Sequence, residues 1–164
     1  MSSRIVNAAD VPAMKRGNGD RFECEIAPIG RQAGARKLGY NITTIPPGKK
    51  AFPYHAHRAN EEMFFVLEGE GSVRINGETH KIRVGDFIAL PPGKASAHQF
   101  INDSKAPLRY LAVSTAELPE VVDYPDSGKV VCTAGTFPAD PAHEDTIRFV
   151  GRLSESLDYW DGEK

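Results

Sequence analysis

Between Arg36 and Ser114 every apolar run ends within a few residues at a glycine or a proline, and no helical period separates one run from the next. Residues 36–45, RKLGYNITTI, mix β-branched and aromatic side chains with polar ones and halt at Pro46-Pro47-Gly48. Glu62 to Glu68, EMFFVLE, reads as a mostly buried strand closed by Gly69 and Gly71. In residues 72–83, Val73 and Ile75 alternate with polar neighbours before Asn76-Gly77, the strongest short hairpin signal there is. Phe87 to Leu90 lies between Gly85-Asp86 and Pro91-Pro92-Gly93, and residues 98–101 and 108–114 follow as further strands. Parallel strands need crossover helices, so this series predicts an antiparallel sandwich or barrel. Its core is expected over about residues 36–115 of a single domain spanning 1–164. Residues 1–35 and 116–164 read as irregular arms carrying short strands, for example 121–124, 129–132 and 147–150. The 15 glycines and 12 prolines of the 164-residue chain fit many turns and argue against a helical bundle.

Charge excludes some partners. Twenty basic against 22 acidic residues leave a net charge of −2, with no broad positive surface for a phosphate backbone, so nucleic acid is not an expected partner. The longest purely apolar stretch, Met63 to Leu67, falls far below the roughly 18 residues of a spanning helix, so no membrane partner is expected either. The opening MSSRIVNAADVP is broken by Asn7, Asp10 and Pro12 and lacks the apolar centre of a secretory signal, so the expected location is cytoplasmic. Cys24 and Cys132 form no C-x-x-C pair and read as partly buried thiols without chemical duty.

The histidines carry the chemistry. His55 and His57 stand two apart in an extended segment, where a period of two turns both side chains the same way. Glu62 opens the next strand and His98 begins a later one. Three imidazoles and a carboxylate suit a divalent transition metal: nitrogen favours Fe, Ni, Cu or Zn, and the carboxylate admits Mn. Glu61 is the alternative carboxylate. His80 and His143 read as solvated surface residues.

These residues sit in two runs. One is Gly48, His55, His57, Glu62 and Gly69; the other is Gly85, Pro91, Gly93, His98 and Asn102. Together they resemble the paired motifs of the cupin superfamily of small jelly-roll barrels. The first run has six residues instead of five before its first histidine. The second has two extra residues between the glycine and the histidine. The match covers residues 48–102, about a third of the chain. The resemblance implies an all-β, antiparallel double-stranded β-helix barrel with short N- and C-terminal arms. It also implies His55, His57, Glu62 and His98 as ligands of a divalent metal (Mn, Fe, Zn or Ni), and a small molecule as the partner. By strand alternation Phe64, Val66 and Phe100 would line the pocket beside that metal.

Beyond the motifs the chain is similar to a group of roughly 160-residue bacterial cupins whose label, sugar phosphate isomerase, is itself an inference. That similarity includes residues 123–129 and the ending 158–163. Sugar or sugar-phosphate isomerisation is the first function it implies; a non-haem metal dioxygenase and a non-catalytic ligand-binding module are the others. Lys49 and Lys50 are candidate phosphate contacts. Tyr40, Tyr54 and Glu61 are candidate bases, none standing out, so the catalytic residues are left unassigned. A homodimer is expected, built through the long arms, with Tyr159 and Trp160 able to anchor a tail.

Overall fold

Thirteen strands carry the chain in a computed structural model that describes residues 4–135 and 144–163. His143 lies outside the described residues. In chain order the strands are β1 (Met14–Asn18), β2 (Phe22–Ala27), β3 (Leu38–Ile45), β4 (Ala56–His57), β5 (Glu62–Glu68), β6 (Glu70–Ile75) and β7 (Glu78–Arg83). They continue as β8 (Phe87–Leu90), β9 (His98–Ile101), β10 (Leu108–Thr115), β11 (Glu120–Tyr124), β12 (Lys129–Ala134) and β13 (Ile147–Arg152). A one-turn helix, α1 (Ile29–Gln32), sits between β2 and β3.

All named strand pairs are antiparallel and fall into three sheets: β1-β2-β3-β10-β5-β8, β13-β12-β11-β4 and β7-β6-β9. This is the jelly-roll pattern; strands of the first and third sheets close over the main core, and Tyr54, Ala56 and Ala97 form a smaller cluster apart from it. Along β10 the buried residues are Leu108, Tyr110 and Ala112, alternating with half-exposed neighbours, and β5 buries Phe64 and Val66 in the same way. Phe64, Phe100 and Tyr110 form its aromatic centre, with Phe100 stacked on Tyr110 at 4.5 Å and Phe64 at 4.6 Å from Phe100.

Turn chemistry sets the register. Asn76 and Gly77 both have positive φ, 47° and 89°, as the two-residue hairpin between β6 and β7 requires. Gly69 has a φ of 79°, and a Cβ there would collide with the carbonyl oxygen of Pro107, so only glycine lets β5 turn into β6. Asn102, fully buried, ties the end of β9 to the six-stranded sheet by donating to the carbonyls of Ile45 on β3 (2.7 Å) and Ala106 before β10 (2.8 Å).

The N-terminal arm is more regular than its sequence suggests. β1 and β2 form a hairpin that adds to the main sheet through β3, so that sheet begins well before residue 36. β1 is exposed along its whole length, MKRGN, and is held by backbone pairing, which leaves no hydrophobic period to read. At the other end β13 is an edge strand with Ile147, Phe149 and Val150 exposed. Both cysteines are free thiols, Cys24 buried and Cys132 half-buried. Among the described residues no helix is long and apolar enough to cross a membrane.

Candidate metal centre

Backbone pairing brings the first and last members of the site together before any side chain acts. His55 N donates to His98 O (3.1 Å) and His98 N to His55 O (2.7 Å), a bridge that sets the two imidazoles 4.5 Å apart between ring centroids. Glu62 reaches the same point from the start of β5. His55, Glu62 and His98 each offer a donor atom within 4.8 Å of the others. His57 stands beside them: its ring lies 5.2 Å from that of His55, and its Nε2 is 3.4 Å from Glu62 Oε2. His98 Nε2 is 3.2 Å from the same oxygen. Glu61 is exposed, so the inward carboxylate is that of Glu62.

The outer ring nitrogens are all occupied by acceptors. His55 Nδ1 meets the Pro53 carbonyl at 2.8 Å, His98 Nδ1 the Ser96 carbonyl at 3.1 Å, and His57 Nδ1 the Glu120 carboxylate at 3.3 Å. An oxygen of this kind only accepts, so each Nδ1 carries a ring proton, and the neutral form of such a ring presents its lone pair at Nε2. The Nε2 atoms of His57 and His98 converge on Glu62 Oε2, which is buried and has no hydrogen-bond partner. Lone pairs facing an anionic oxygen in a buried site repel unless a cation lies between them. Donors held about 2.1 Å from one ion stand about 3 Å or more apart, and separations of 3.2 and 3.4 Å fall in that range. The donor set therefore fits a divalent metal.

Two members of the cluster are shifted by their surroundings. Burial, reinforced by His98, lowers His55 to about 4, so its ring is neutral near pH 7. Burial alone would raise the Glu62 carboxyl, but the positive charge that the imidazoles of His98, His57 and His55 take on when protonated outweighs it and holds the group below the usual carboxylate range, so this pocket favours an anionic oxygen beside a cationic neighbour.

Glu120 was not legible as a site residue in the sequence. It opens β11, outside both histidine motifs, and besides His57 it accepts from the backbone N–H groups of Arg58 (3.0 Å), Ala59 (3.1 Å) and Asn60 (3.1 Å). The Asn60 side chain donates to it as well. Burial pushes Glu120 up, and the Ala59 N–H, Asn60 and His57 pull it down further, so it too is a carboxylate. A carboxylate behind a ligating histidine fixes ring orientation and tautomer. Three residues on, Asp123 pairs with the Arg58 guanidinium, and the next residue, Tyr124, stacks against His55 with ring centroids 5.9 Å apart.

A cavity of about 250 Å³ opens beside the cluster. Its walls are aromatic, Phe52, Phe64, Phe100 and Tyr110, with Asn41, Thr43 and Gln99 as the polar contribution. Thr43 Oγ1 donates to Asn41 Oδ1 (2.7 Å) and Gln99 Nε2 to the Phe52 carbonyl (2.7 Å). Val66 shares the inward face of β5 but is completely buried one row deeper, in the core rather than on the cavity wall. Lys49 and Lys50 do not line the cavity; the Lys49 ammonium donates to the Asp20 carbonyl at 2.6 Å. Tyr54 is also committed, its hydroxyl accepting from Gly77 N (2.9 Å) and its ring lying under the Arg74 guanidinium. His80 is exposed on β7.

Comparison with known proteins agrees with this architecture. The Cupin domain family matches residues 41–114. An uncharacterized protein from Methanocaldococcus jannaschii is 33% identical over 70 residues, 43% of this chain and 54% of that protein. Quercetin 2,3-dioxygenase from Bacillus subtilis is 29% identical over 91 residues, 52% of this chain and 26% of the enzyme. The chain thus spans about half and about a quarter of the length of these two relatives. L-ectoine synthase from Hyphomonas neptunium is 34% identical over 113 residues, 66% of this chain and 74% of the synthase. Among solved structures, a protein from Acidithiobacillus ferrooxidans provisionally called a sugar phosphate isomerase superimposes with a TM-score of 0.78 at 22% identity, covering 95% of this chain and 96% of that one. A sugar phosphate isomerase from Silicibacter pomeroyi gives 0.76 at 23%, covering 96% and 98%. Paired histidine motifs, a jelly roll closed around a His/Glu/His cluster and sequence matches across the strands that build it have one common explanation: the chain belongs to the cupin superfamily.

Proposed function

We propose that the chain holds one divalent transition metal, Mn, Fe, Zn or Ni, through His55, His57, Glu62 and His98, and acts on a small molecule in the adjoining cavity. The observation that carries this reading is the buried, unpartnered Glu62 Oε2 facing the Nε2 atoms of His57 and His98. Elemental analysis of protein purified without an affinity tag, beside the His55→Ala variant, is the test. About one metal per chain, lost in the variant, is expected; no metal after reconstitution overturns the proposal and leaves a ligand-binding module.

Two reactions suit such a centre. Bound metal would supply either a Lewis acid for substrate oxygens or, if redox-active, a site for oxygen chemistry. Sugar or sugar-phosphate isomerisation is supported by likeness in fold to two proteins that carry that name. It needs a proton carrier, and among the described residues the cavity walls offer no carboxylate besides Glu62 and no Lys or Arg for a phosphate. Oxygen chemistry on an apolar substrate, the reaction class of the dioxygenase relative, is favoured by the aromatic walls, which would bind the substrate and keep water away. Stoichiometric iron and oxygen uptake with aromatic substrates would support it. Zinc or manganese with isomer formation from sugar phosphates, followed by NMR, would support isomerisation instead.

The uncovered β13 edge, with Ile147 and Phe149 exposed, suits pairing with a second copy of the chain. Light scattering at the mass of two chains is the expected result, and at one chain the contrary one.

A further inference from the structure

Three strands lie side by side above the metal cluster, and their inward residues form rows. Thr43 on β3 pairs with Tyr110 on β10; one row on, Asn41 pairs with Ala112, which pairs with Phe64 on β5; one row further, Gly39 pairs with Ser114, which pairs with Glu62. The aromatic cavity occupies the first two rows. A second chamber of about 390 Å³ occupies the last two and extends under α1. Asn41, Ala112 and Glu62 belong to the walls of both. The side chains at the junction are small, Gly39, Ala112 and Ser114, so little side-chain bulk stands between the two chambers where their walls are shared.

The two chambers differ in chemistry. Ile26, Pro28, Ala35, Leu38 and Tyr40 make the outer one largely aliphatic. Its wall also includes Arg31, the only Lys or Arg on the described walls of either chamber, and no ion pair of Arg31 is formed among the described residues. We infer that the outer chamber is a second binding subsite, which takes the apolar body of an organic acid whose oxygen-bearing head lies at the metal, with Arg31 meeting its anionic group. The inference rests on the metal reading for the position of the head, and on the continuity of the walls for the subsite itself. A small sugar phosphate would leave the aliphatic wall uncovered, whereas an elongated apolar acid covers it.

The probe is 8-anilinonaphthalene-1-sulfonate, which joins apolar rings to one fixed anion, followed by its fluorescence on the full chain. One saturable site is expected, displaced by decanoate and not by glucose 6-phosphate. Ala35→Trp, which fills the chamber, should weaken binding by about tenfold or more through lost apolar contact. Arg31→Gln should weaken it by about two- to fivefold, the range of an exposed ion pair. Both variants should keep the wild-type metal content, since neither residue belongs to the cluster. Dye binding that is indifferent to Ala35→Trp, or that is lost instead in Phe149→Ser on the exposed β13, overturns the subsite. Displacement by glucose 6-phosphate overturns the apolar acid as its occupant. If elemental analysis finds no metal while the dye still responds to Ala35→Trp, the metal reading falls and the chamber stands.

Discussion

The strands that carry the two histidine motifs and the strands of the C-terminal sheet contribute different things to one cluster. β5, β9, β4 and the segment entering β4 supply the atoms that face inward: Glu62, His98, His57 and His55. β11 supplies what stands behind and over them: Glu120 behind His57, Asp123 on Arg58 and Tyr124 against His55. The first group sits where strand alternation and tight turns force it. The second is held by hydrogen bonds across about 60 residues of sequence. The members of the cluster are thus easy to mark out by motif, whereas the groups that brace them come from elsewhere in the chain.

The division can be broken in order of effect. His98→Ala or Glu62→Ala removes an inward atom, and elemental analysis should find such protein essentially free of metal. In the wild type, stripping the metal with a chelator should lower the melting temperature, because a ligand at 100 times its Kd stabilises the fold by about 2.7 kcal/mol. An unchanged melting temperature in a metal-loaded sample would contradict the assignment. Glu120→Ala should weaken metal binding by about 10–100-fold, the usual cost of losing the carboxylate behind a histidine ligand, read by competition with a chelator. It should also reduce stability, since the Arg58, Ala59 and Asn60 N–H groups lose their acceptor. Asp123→Ala breaks a pair whose arginine is 44% exposed, so about 1 kcal/mol or less is expected in urea unfolding, with metal affinity little changed. His80→Ala, far from the cluster on β7, should alter neither quantity; a loss of metal there equal to that of His98→Ala would undo the division altogether.

How far the sequence could be read follows the same line. β5, β8 and β9 run over Glu62–Glu68, Phe87–Leu90 and His98–Ile101, the limits expected from apolar runs bounded by Gly and Pro. The β6–β7 hairpin turns at Asn76-Gly77 because both residues tolerate positive φ. Such signals are local, so they survive without a structure. β1 and α1 carry none: one is an exposed polar strand fixed by its neighbour, the other a single turn. Glu120 gives no local sign either, because its role depends on where β11 comes to rest against β4. Phe64 and Phe100 lie on the cavity wall and Val66 does not, although alternation puts Phe64 and Val66 on one face. Periodicity reports the face of a strand, whereas depth along it depends on the aromatic rings packed there.

Glu120 gathers three successive backbone N–H groups from the loop between β4 and β5, so ordering of that loop and ordering of β11 are one event. Occupancy of the cluster should then be felt well away from it. Amide protons of β11 and β12 should exchange with deuterium more slowly when metal is bound, and the protection should vanish in Glu120→Ala while that of the β6–β7 hairpin is retained. In that sense the ion would act as a latch on the last third of the chain.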